Sequence, residues 1–442
     1  MRSRAPSGWG SSRVEPDEIV VDVGSVAHGG HCIARHEGRV LFVRHTAPGE
    51  RIRARITGTG PGGRFGYADA VEILDPAPER VPAPCPYAGP AGCGGCDFQH
   101  LSLAAQRNLK AAVVREQFAR LARLDVDVTV EPLGEPEPGL RWRTRVEFAV
   151  DPAGRAGLRP HRSHEVIPVE DCLIAARGVV GSGVLGGDWS GTAAVDVAAP
   201  SRGDPVVTPV PAGGAGPERV VTERVVTPWA SAGAERAFAH DFEVAARGFW
   251  QVHPRAASTF AGRVLTELDP KPGERALDLY AGVGLFAAAL ADAVGPDGQV
   301  LAVESDRTAA GLARTNLGEW RHTVVLPLRV DDAFGVSRPA RRGPADRRAT
   351  RRRRPRRAPL MPDTADLVVL DPPRTGAGAD VVRAIAALGP RAVAYVACDP
   401  AALARDAAAF AEAGYALGGL AAYDAFPMTH HVECIATFAS AP

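Results

Sequence analysis

From about residue 255 onward, short apolar segments alternate with segments of helical periodicity, and this pattern restricts the possible folds more than any other feature. The predicted strands are 275–280, 299–304, 324–330, 366–370, 391–397 and 432–438, and the predicted helices include 285–293, 306–316 and 401–413. Apolar strands separated by crossover helices are typical of a doubly wound parallel sheet. The sequence therefore predicts an α/β, Rossmann-like domain that binds ligands at the carboxyl ends of its strands.

The first predicted strand of this region leads into a glycine-rich turn that opens a helix, at residues 277–286. Gly282 and Gly284 would let the backbone come close to a ligand at the helix N terminus, where amide groups are free. Glu304 ends the next predicted strand, where a carboxylate would accept hydrogen bonds from a ribose diol. Asp332 follows the strand after that and could accept a hydrogen bond from an adenine amino group. The turn therefore predicts a nucleoside-cofactor site.

The spacing around the turn distinguishes between two kinds of nucleoside cofactor. Asp278 followed by Gly282 and Gly284 is typical of S-adenosylmethionine enzymes, whereas a dinucleotide turn has a third glycine where this chain has Ala287. An acidic strand end would repel a pyrophosphate but would suit a cationic sulfonium. S-adenosyl-L-methionine is therefore the predicted cofactor.

Two candidate catalytic segments stand at the ends of successive predicted strands. Asp371 opens an Asp-Pro-Pro-Arg segment whose carboxylate could bind a planar base, and Arg374 at its end could bind a phosphate or a carbonyl group. Cys398 ends the next strand and precedes a helix, so we expect the helix N terminus to lower the pKa of the thiol. A thiolate there would act as a nucleophile, and a cysteine buried for packing is the alternative.

The last predicted strand begins within a cluster of polar residues. Glu433 would complete an acid/base pair with Cys398 or would be an ordinary strand-end carboxylate, and spacing alone does not decide between these roles. His430 and His431 suggest a metal, but adjacent residues on a strand point to opposite faces, so one ion can rarely bind both. We therefore assign no metal to this histidine pair.

The chain has seven cysteines and no export signal, which argues against disulfides and favours thiols as ligands or nucleophiles. Cys85, Cys93 and Cys96 cluster in a segment rich in proline and glycine, and Cys172 follows 76 residues after Cys96. A segment of this composition can bury little apolar surface by itself. Packing in a hydrophobic core is therefore a poor explanation of the cysteine cluster. Four thiols suit a tetrahedral zinc ion or a 4Fe-4S cluster, and the spacing leaves both open.

Residues 15–75 contain five short predicted strands separated by glycine and proline, which is typical of a small closed β-barrel of the oligonucleotide-binding type. The strands are expected at 19–23, 33–35, 39–43, 51–56 and 67–73. Arginines expected in the loops of this barrel could follow a phosphate backbone or could simply be solvated; they are Arg35, Arg39, Arg44, Arg51, Arg53, Arg55 and Arg64.

The formal net charge of zero hides an uneven distribution of charge. Residues 338–357 contain 11 arginines and one acid, so the rest of the chain has 40 basic and 50 acidic residues. This biased composition predicts a disordered surface insertion at about 336–360, with an RNA-binding segment as the alternative. No apolar run reaches 18 residues and no hydrophobic leader is seen, so we expect a cytoplasmic protein that makes no contact with a membrane.

These motifs together resemble those of the RNA uracil-C5 methyltransferase family, whose members form 5-methyluridine in tRNA and 23S rRNA. The matching segments are 249–252, 278–286, 371–374, 396–406 and 429–433. The resemblance implies that Cys398 adds to C6 of the uracil, that Glu433 removes the C5 proton and that Asp371 holds the base beside the cofactor. Residues that match cofactor-contacting positions or lie in the same glycine-rich turn are Gln251, Asp278, Tyr280, Gly282, Gly284, Glu304 and Asp371.

One branch of this family carries a 4Fe-4S cluster on a Cys-x5-Cys-x2-Cys motif and a distant cysteine, and the resemblance favours this cluster over zinc. The present chain has two extra residues between Cys85 and Cys93. The barrel resembles the TRAM domain of many members. The resemblance implies an RNA substrate, rRNA rather than tRNA, whose target base leaves its stack. Methylation of another nucleobase position and a noncatalytic RNA-binding iron-sulfur protein are the alternatives.

The expected domain organisation has four parts: a disordered lead at 1–14, a TRAM-like RNA-binding barrel at 15–75, a central β-rich iron-sulfur domain at 76–245 and a methyltransferase domain at 246–442. Nothing in the sequence indicates an obligate protein partner. We expect a monomer.

Overall fold

The computed structural model describes residues 18–134, 137–214, 216–231, 234–336 and 357–440. The chain forms two compact units, Met1–Val81 and Pro82–Pro442. The disordered lead expected at 1–14 lies outside the described residues, as does most of the arginine-rich insertion expected at about 336–360. Among the described residues, no helix is long and apolar enough to cross a bilayer.

The first unit contains a closed five-stranded barrel. Its strands are β1 (Glu18–Val26), β2 (Cys32–His36), β3 (Arg39–Arg44), β4 (Arg51–Thr59) and β5 (Phe65–Asp75), in the order β1-β2-β3-β5-β4 with β4 paired to β1. Apolar side chains such as Leu41 and Val43 alternate into the interior, as the period of two in a strand requires. The predicted barrel is confirmed.

The arginines expected in loops of the barrel lie mostly on its strands, so that expectation was wrong. Arg35 lies in β2, Arg53 and Arg55 lie in β4, and Arg64 precedes β5. The period of two explains the difference, because alternate positions of each strand point outward and can carry charge. Arg53 pairs with Glu72, and Arg55 pairs with Glu18.

The second unit is built around an eight-stranded sheet in the order β16-β15-β14-β17-β18-β20-β19-β6. Its strands are β6 (Val130–Pro132), β14 (Arg275–Leu279), β15 (Gln299–Val303), β16 (Thr323–Leu326), β17 (Leu367–Leu370), β18 (Ala392–Ala397), β19 (Tyr415–Asp424) and β20 (Glu433–Ser440). Strands β14 to β18 are parallel to one another, β20 is antiparallel to both β18 and β19, and β6 is parallel to β19.

The sheet is therefore mixed, whereas the sequence predicted a wholly parallel one. The cause is β19, which the prediction missed, since a short connection from β19 to β20 makes an antiparallel pair. A second difference concerns Val330, which was placed at the end of a strand but begins a short helix, Val330–Phe334. The Rossmann-like class is confirmed despite both differences.

Helices cover both faces of this sheet. The helices of the second unit are α1 (Leu103–Gln117), α2 (Arg177–Gly181), α3 (Ala256–Leu268), α4 (Leu285–Val294), α5 (Arg307–Asn316), α6 (Val330–Phe334), α7 (Ala379–Ala386) and α8 (Pro400–Glu412). The short helix α2 belongs to the smaller five-stranded sheet described below and not to this one. Along β14, Ala276 contributes to the core under α3 and α4, while Leu277 and Leu279 contribute to the core under α1, α7 and α8. Burial on both faces explains why these strands are apolar along their whole length.

The region between the barrel and α3 adds two antiparallel sheets. One has five strands in the order β11-β10-β7-β8-β9, formed by β7 (Arg145–Val150), β8 (Ala156–Leu158), β9 (Ile167–Pro168), β10 (Thr192–Ala198) and β11 (Val206–Pro211). The other is the hairpin of β12 (Val220–Ser231) and β13 (Ala234–Ala245), whose Phe242 packs in the same core as α3 and α4.

Candidate active site

The predicted site residues meet at one edge of the eight-stranded sheet. Glu304 follows β15, Asp371 follows β17 and Cys398 follows β18, so all three lie at the carboxyl ends of parallel strands. Glu433 is the first residue of β20, which runs in the opposite direction and pairs Cys434 with Ala397. The start of an antiparallel strand lies at the same edge as the ends of its parallel neighbours, so Glu433 comes next to Cys398.

The glycine-rich turn between β14 and α4 contains three residues with positive φ. Gly282 (φ 56°) and Gly284 (φ 92°) are in the left-handed region, and so is Tyr280 (φ 63°), which is unusual for a residue with a side chain. An added Cβ at Gly282 would meet open space, whereas one at Gly284 would touch Leu317 at 3.4 Å. Gly282 thus faces a space open to a ligand, and Gly284 permits close packing.

Two carboxylates surround this turn. Glu304 Oε2 accepts a 2.9 Å hydrogen bond from the Gly282 amide, which fixes the acid to the turn. Asp278 is fully buried, and its Oδ2 accepts a 2.8 Å bond from the Ala287 amide. Asp278 Oδ1 has no hydrogen-bond partner among the described residues. Because a buried oxygen without a donor is costly, this atom suits a ligand that brings one.

Burial raises the pKa of Asp278 well above its usual value, and the charges of Asp371 and Glu304 add to this effect. Gln251 is buried in the connection between β13 and α3. Asp332 is an exposed residue of the short helix α6, rather than a residue directly after a strand as predicted, because β16 ends at Leu326.

Asp371, Cys398 and Glu433 lie close enough to influence one another electrostatically. Burial raises the pKa of the Cys398 thiol to about 12, helped by the charges of Glu433 and Asp371 and opposed by Arg374. Burial also raises the pKa of Asp371 to about 7. The pKa of Glu433 is raised well above its usual value by burial and by Asp371, again against the effect of Arg374.

The expected lowering of the Cys398 thiol pKa was therefore wrong. Asp399 is the N-cap of α8, and its Oδ1 accepts a 2.7 Å hydrogen bond from the Ala402 amide. A carboxylate rather than the thiol thus satisfies the helix N terminus. Burial and the neighbouring acids then determine the pKa of Cys398.

Asp406 is a supporting residue that the sequence did not single out. It is buried in α8, and its Oδ2 accepts hydrogen bonds of 2.7 Å from both the Tyr395 hydroxyl and the Ala377 amide. The Gly378 amide donates to both Asp406 oxygens at 3.2 Å. Asp406 thus joins β18 and α8 to the loop that follows the Asp-Pro-Pro-Arg segment. An acid among the alanines of a buried helix was the available sequence signal.

The connection from β19 to β20, which we call the catalytic loop (residues 425–432), is fixed by α1 and by the segment that follows Cys96. Lys110 Nζ in α1 donates to Asp424 Oδ1 at 2.5 Å and to the Phe426 carbonyl at 3.0 Å. Gln106 Oε1 accepts a 2.8 Å bond from the Met428 amide. These partners are more than 300 residues apart in the chain, so no local pattern could identify them.

The histidine pair lies in the catalytic loop rather than on a strand, and its ring centroids are 4.0 Å apart, so the expectation that the two side chains point to opposite faces was wrong. His430 Nδ1 lies 2.5 Å from Asp97 Oδ2, whereas His431 Nε2 lies 3.3 Å from Arg374 Nη2. Burial, His430 and Arg374 lower the pKa of His431 to about 3, so its ring is neutral at physiological pH.

The four candidate metal ligands, Cys85, Cys93, Cys96 and Cys172, line a single pocket, and all four thiols are free. Burial raises the pKa of Cys172 to about 11 and raises those of Cys93 and Cys96, and charge on the neighbouring cysteines raises all three further. The Gly95 amide donates to Cys93 Sγ at 3.4 Å. Within the part of the chain that the structure describes, no group of three or more His, Cys, Asp or Glu residues has the geometry to hold a metal ion.

The parallel strands, the glycine-rich turn after β14 and the acid after β15 define the class of S-adenosylmethionine-dependent methyltransferases. A solved structure supports this fold. It is the Pyrococcus abyssi tRNA (uracil-54, C5)-methyltransferase in complex with S-adenosyl-L-homocysteine, which is 18% identical, with a TM-score of 0.61 over 96% of this chain and 100% of that one. The predicted Rossmann-like methyltransferase fold is confirmed.

Sequence comparisons identify the family. The profile of the tRNA (Uracil-5-)-methyltransferase family matches residues 258–439, and that of the TRAM domain matches residues 16–71. An uncharacterized RNA methyltransferase of Streptomyces coelicolor is 47% identical over 95% of this chain and 92% of its own length. The 23S rRNA (uracil(1939)-C(5))-methyltransferase RlmD of Thiobacillus denitrificans is 31% identical over 95% of this chain and 99% of its own.

The chain belongs to the RNA uracil-5-methyltransferase family, in the group that carries a TRAM domain. The resemblance noted in its motifs is thereby confirmed at the level of family and enzyme class.

Proposed function

We propose that this protein transfers a methyl group from S-adenosylmethionine to C5 of a uridine in RNA, with Cys398 as nucleophile and Glu433 as base. The observation that carries the proposal is the position of Cys398, Glu433 and Asp371 at one sheet edge, beside the glycine-rich turn. The charges of Glu433 and Asp371 raise the pKa of Cys398, and the charge of Asp371 raises the pKa of Glu433, so a single small ring could contact all three side chains.

The residues around the turn fit the cofactor. The unpaired Oδ1 of buried Asp278 would accept a hydrogen bond from the ligand, and the open space at Gly282 would admit its amino acid moiety. Glu304 is held beside the turn, where it would bind the ribose hydroxyls. Gln251, Tyr280, Gly284 and Asp332 complete the proposed set, with Asp371 between cofactor and base. When bound, S-adenosylmethionine supplies an electrophilic methyl group.

Catalysis begins with the uracil ring, whose C5 is a poor nucleophile. The Cys398 thiol gives up its proton to solvent, the resulting thiolate sulfur forms a bond to C6, and the electrons of the C5–C6 double bond move toward C5 and the O4 carbonyl. Asp371 holds the ring, so the sulfur and C6 remain aligned. C5 is then nucleophilic enough to take the methyl group, and the bond from the methyl carbon to the sulfonium sulfur would break to leave S-adenosylhomocysteine.

Product release requires a base near C5. Glu433 removes the C5 proton, the electron pair restores the C5–C6 double bond, and the bond from C6 to the Cys398 sulfur breaks. Burial makes Glu433 a strong base once it is ionised, because its pKa is well above the usual value. Glu433 then releases its proton to solvent and the Cys398 thiolate takes one up, which returns the enzyme to its starting state.

Ribosomal RNA is the proposed substrate. Support comes from the RlmD proteins, which are about as long as this chain and are 31% and 32% identical in Thiobacillus denitrificans and Pseudomonas putida. The tRNA enzyme of known structure is only 18% identical. Methylation of total rRNA and tRNA from a strain that lacks the gene would distinguish the two substrates, with new 5-methyluridine expected in the 23S rRNA.

We also propose that Cys85, Cys93, Cys96 and Cys172 hold a 4Fe-4S cluster. The chemistry of four thiols lining one pocket supports this, and so does Arg143, a largely buried cation whose pKa is influenced by Cys172 and Cys96. A cluster would hold the loop of residues 85–96 in place. Anaerobically purified protein should absorb visible light, and Cys172→Ala should lose this absorbance. Colourless protein that contains one equivalent of zinc would instead indicate a zinc site.

A trapping experiment tests the proposed reaction. Protein, S-adenosylmethionine and RNA that contains 5-fluorouridine should form a covalent adduct that survives denaturing gel electrophoresis, because fluorine at C5 cannot leave as a proton. Cys398→Ala should form no adduct, whereas Cys32→Ala, which removes a thiol from the barrel, should form it normally. If neither rRNA nor tRNA gives an adduct, the proposed reaction is wrong.

A further inference from the structure

We infer that Asp97, His430 and His431 are positioning residues that hold the Arg374 guanidinium beside the Cys398 thiol. The inference rests on the proposed function, because it concerns the charge that balances the proposed nucleophile. It assigns a role to three residues that are neither the proposed nucleophile, nor the proposed base, nor part of the cofactor-binding turn.

The four side chains form a continuous array. His430 Nδ1 contacts Asp97 Oδ2 at 2.5 Å, and the His430 and His431 ring centroids lie 4.0 Å apart. His431 Nε2 contacts Arg374 Nη2 at 3.3 Å. Asp97 directly follows Cys96, so the array starts in the cysteine-rich loop and ends at the carboxyl edge of the sheet.

The direction of the hydrogen bond between Arg374 and His431 determines the protonation state of the His431 ring. A guanidinium can only donate, so His431 Nε2 accepts, and its proton must be on Nδ1. The ring is therefore neutral, in agreement with its lowered pKa. A neutral acceptor orients Arg374 without neutralising it, whereas Arg391, for comparison, is held by the Glu274 carboxylate. Within the described ranges, Arg374 makes no ion pair with a carboxylate.

The positive charge of Arg374 opposes the effect of the acids that surround the Cys398 thiol. The charged groups that face Cys398 are Glu433, Asp371, Arg374 and Asp399, and those that face His431 are His430, Arg374, Asp97 and Lys110. Of the groups that face Cys398, Arg374 favours the thiolate and the three acids oppose it. A thiolate forms again each time the bond from sulfur to C6 breaks, so a fixed positive charge nearby stabilises that step.

The catalytic loop has other anchors, so the array can be altered without releasing the loop. The Phe98 amide donates to the Met428 carbonyl at 2.9 Å, and Gln106 accepts from the Met428 amide at 2.8 Å. Substitutions at Asp97, His430 or His431 leave both of these contacts in place. Their effects therefore report on the position of Arg374.

The test measures the reactivity of Cys398 in the full-length protein without RNA. Iodoacetamide alkylation at pH 9 is followed by mass spectrometry of the peptide that contains Cys398, which separates this thiol from the others. His431→Ala and Arg374→Ala should each lower the rate about three- to tenfold, since one unit of pKa changes the thiolate fraction tenfold. Asp97→Asn and His430→Ala should lower it less. His164→Ala, at an exposed position, should leave the rate unchanged.

Two further variants separate positioning from a general loss of structure. The double variant His431→Ala/Arg374→Ala should be no slower than Arg374→Ala alone, because both changes remove the same effect. His431→Gln keeps a neutral acceptor and should retain most of the rate, whereas His431→Leu should not. If His431→Ala does not fold, as judged by circular dichroism, this Gln and Leu pair replaces it.

An unchanged rate in His431→Ala, or losses that add in the double variant, would overturn the inference. That result is distinguishable from failure of the proposed function. If only the inference about Arg374 is wrong, the 5-fluorouridine adduct would still form, whereas it would be absent if the proposed reaction is wrong. The alkylation rates depend on neither RNA nor methyl transfer.

Discussion

The Tyr395 hydroxyl donates a 2.7 Å hydrogen bond to Asp406 Oδ2, and this contact joins the strand before the proposed nucleophile to the helix after it. The same carboxylate accepts from the Ala377 and Gly378 amides, so one buried acid fixes the loops of both Asp371 and Cys398. Alignment of the base and the thiol therefore depends on a residue that contacts neither.

Asp406→Ala should lower both stability and activity. The change leaves the Tyr395 hydroxyl and two amides without their acceptor, which should cost about 3 kcal/mol of unfolding free energy. Urea unfolding and adduct formation with 5-fluorouridine RNA measure the two effects. Tyr395→Phe removes one donor and should cost only about 1 kcal/mol. Equal losses in both variants would contradict the role given to the carboxylate.

The raised pKa of Asp371 makes the stability of the fold depend on pH. An acid with a folded pKa of about 7 and a usual value of 3.8 holds its proton more tightly in the folded state. Its favourable contribution is complete below about pH 3.8 and is lost as the pH rises through 7. Asp371→Asn should thus stabilise the protein relative to wild type more at pH 8 than at pH 5.

Urea unfolding at the two pH values measures this difference, and Asp127→Asn, at an exposed position, is the control. The same gain at both pH values would indicate that Asp371 ionises normally in the folded protein.

Lys110 and Asp424 form a buried ion pair whose partners are 0% and 1% exposed. Lys110→Met should destabilise the protein by about 3–5 kcal/mol, because it leaves a buried carboxylate without its cation. The double variant Lys110→Met/Asp424→Leu removes both charges and should recover most of the loss. Urea unfolding of the three proteins measures this. A double variant as unstable as the single one would show that packing, rather than charge, is the cause.

The barrel also contains a buried acid, Glu50. It accepts from the Ala47 amide at 2.8 Å and from the Ala77 amide at 3.3 Å, and it pairs with Arg80. Burial alone would raise its pKa, but these hydrogen bonds and the Arg80 charge hold the pKa below the usual 4.5. Its contribution to stability is present above pH 4.5 and is lost as the pH falls through the folded pKa.

Glu50→Gln should therefore speed hydrogen exchange in residues 18–81 at pH 7 while leaving the second unit unchanged. The difference from wild type should shrink as the pH is lowered. Equal exchange at pH 7 would contradict a stabilising role for this carboxylate.

Local patterns in the sequence predicted the barrel, the glycine-rich turn and the ends of the strands that carry Asp371 and Cys398. These features depend on residues within a few positions of one another. The direction of the Cys398 pKa shift was predicted wrongly, because burial and the approach of Glu433 are properties of the folded chain. Contacts such as Asp97 with His430 join distant segments, and no periodicity marks them. The mixed sheet was missed for the same reason, since strands that pair in the sheet can be far apart in the sequence.

The interior position of β20 has a consequence for synthesis of the protein. β20 lies between β18 and β19, yet the ribosome makes it after every other strand of that sheet. Until it emerges, β18 presents an open edge, and β6 and β19 cannot join the rest of the sheet. The nascent chain therefore exposes an unpaired strand edge until β20 has been synthesised, which is the condition under which chaperones protect a growing polypeptide.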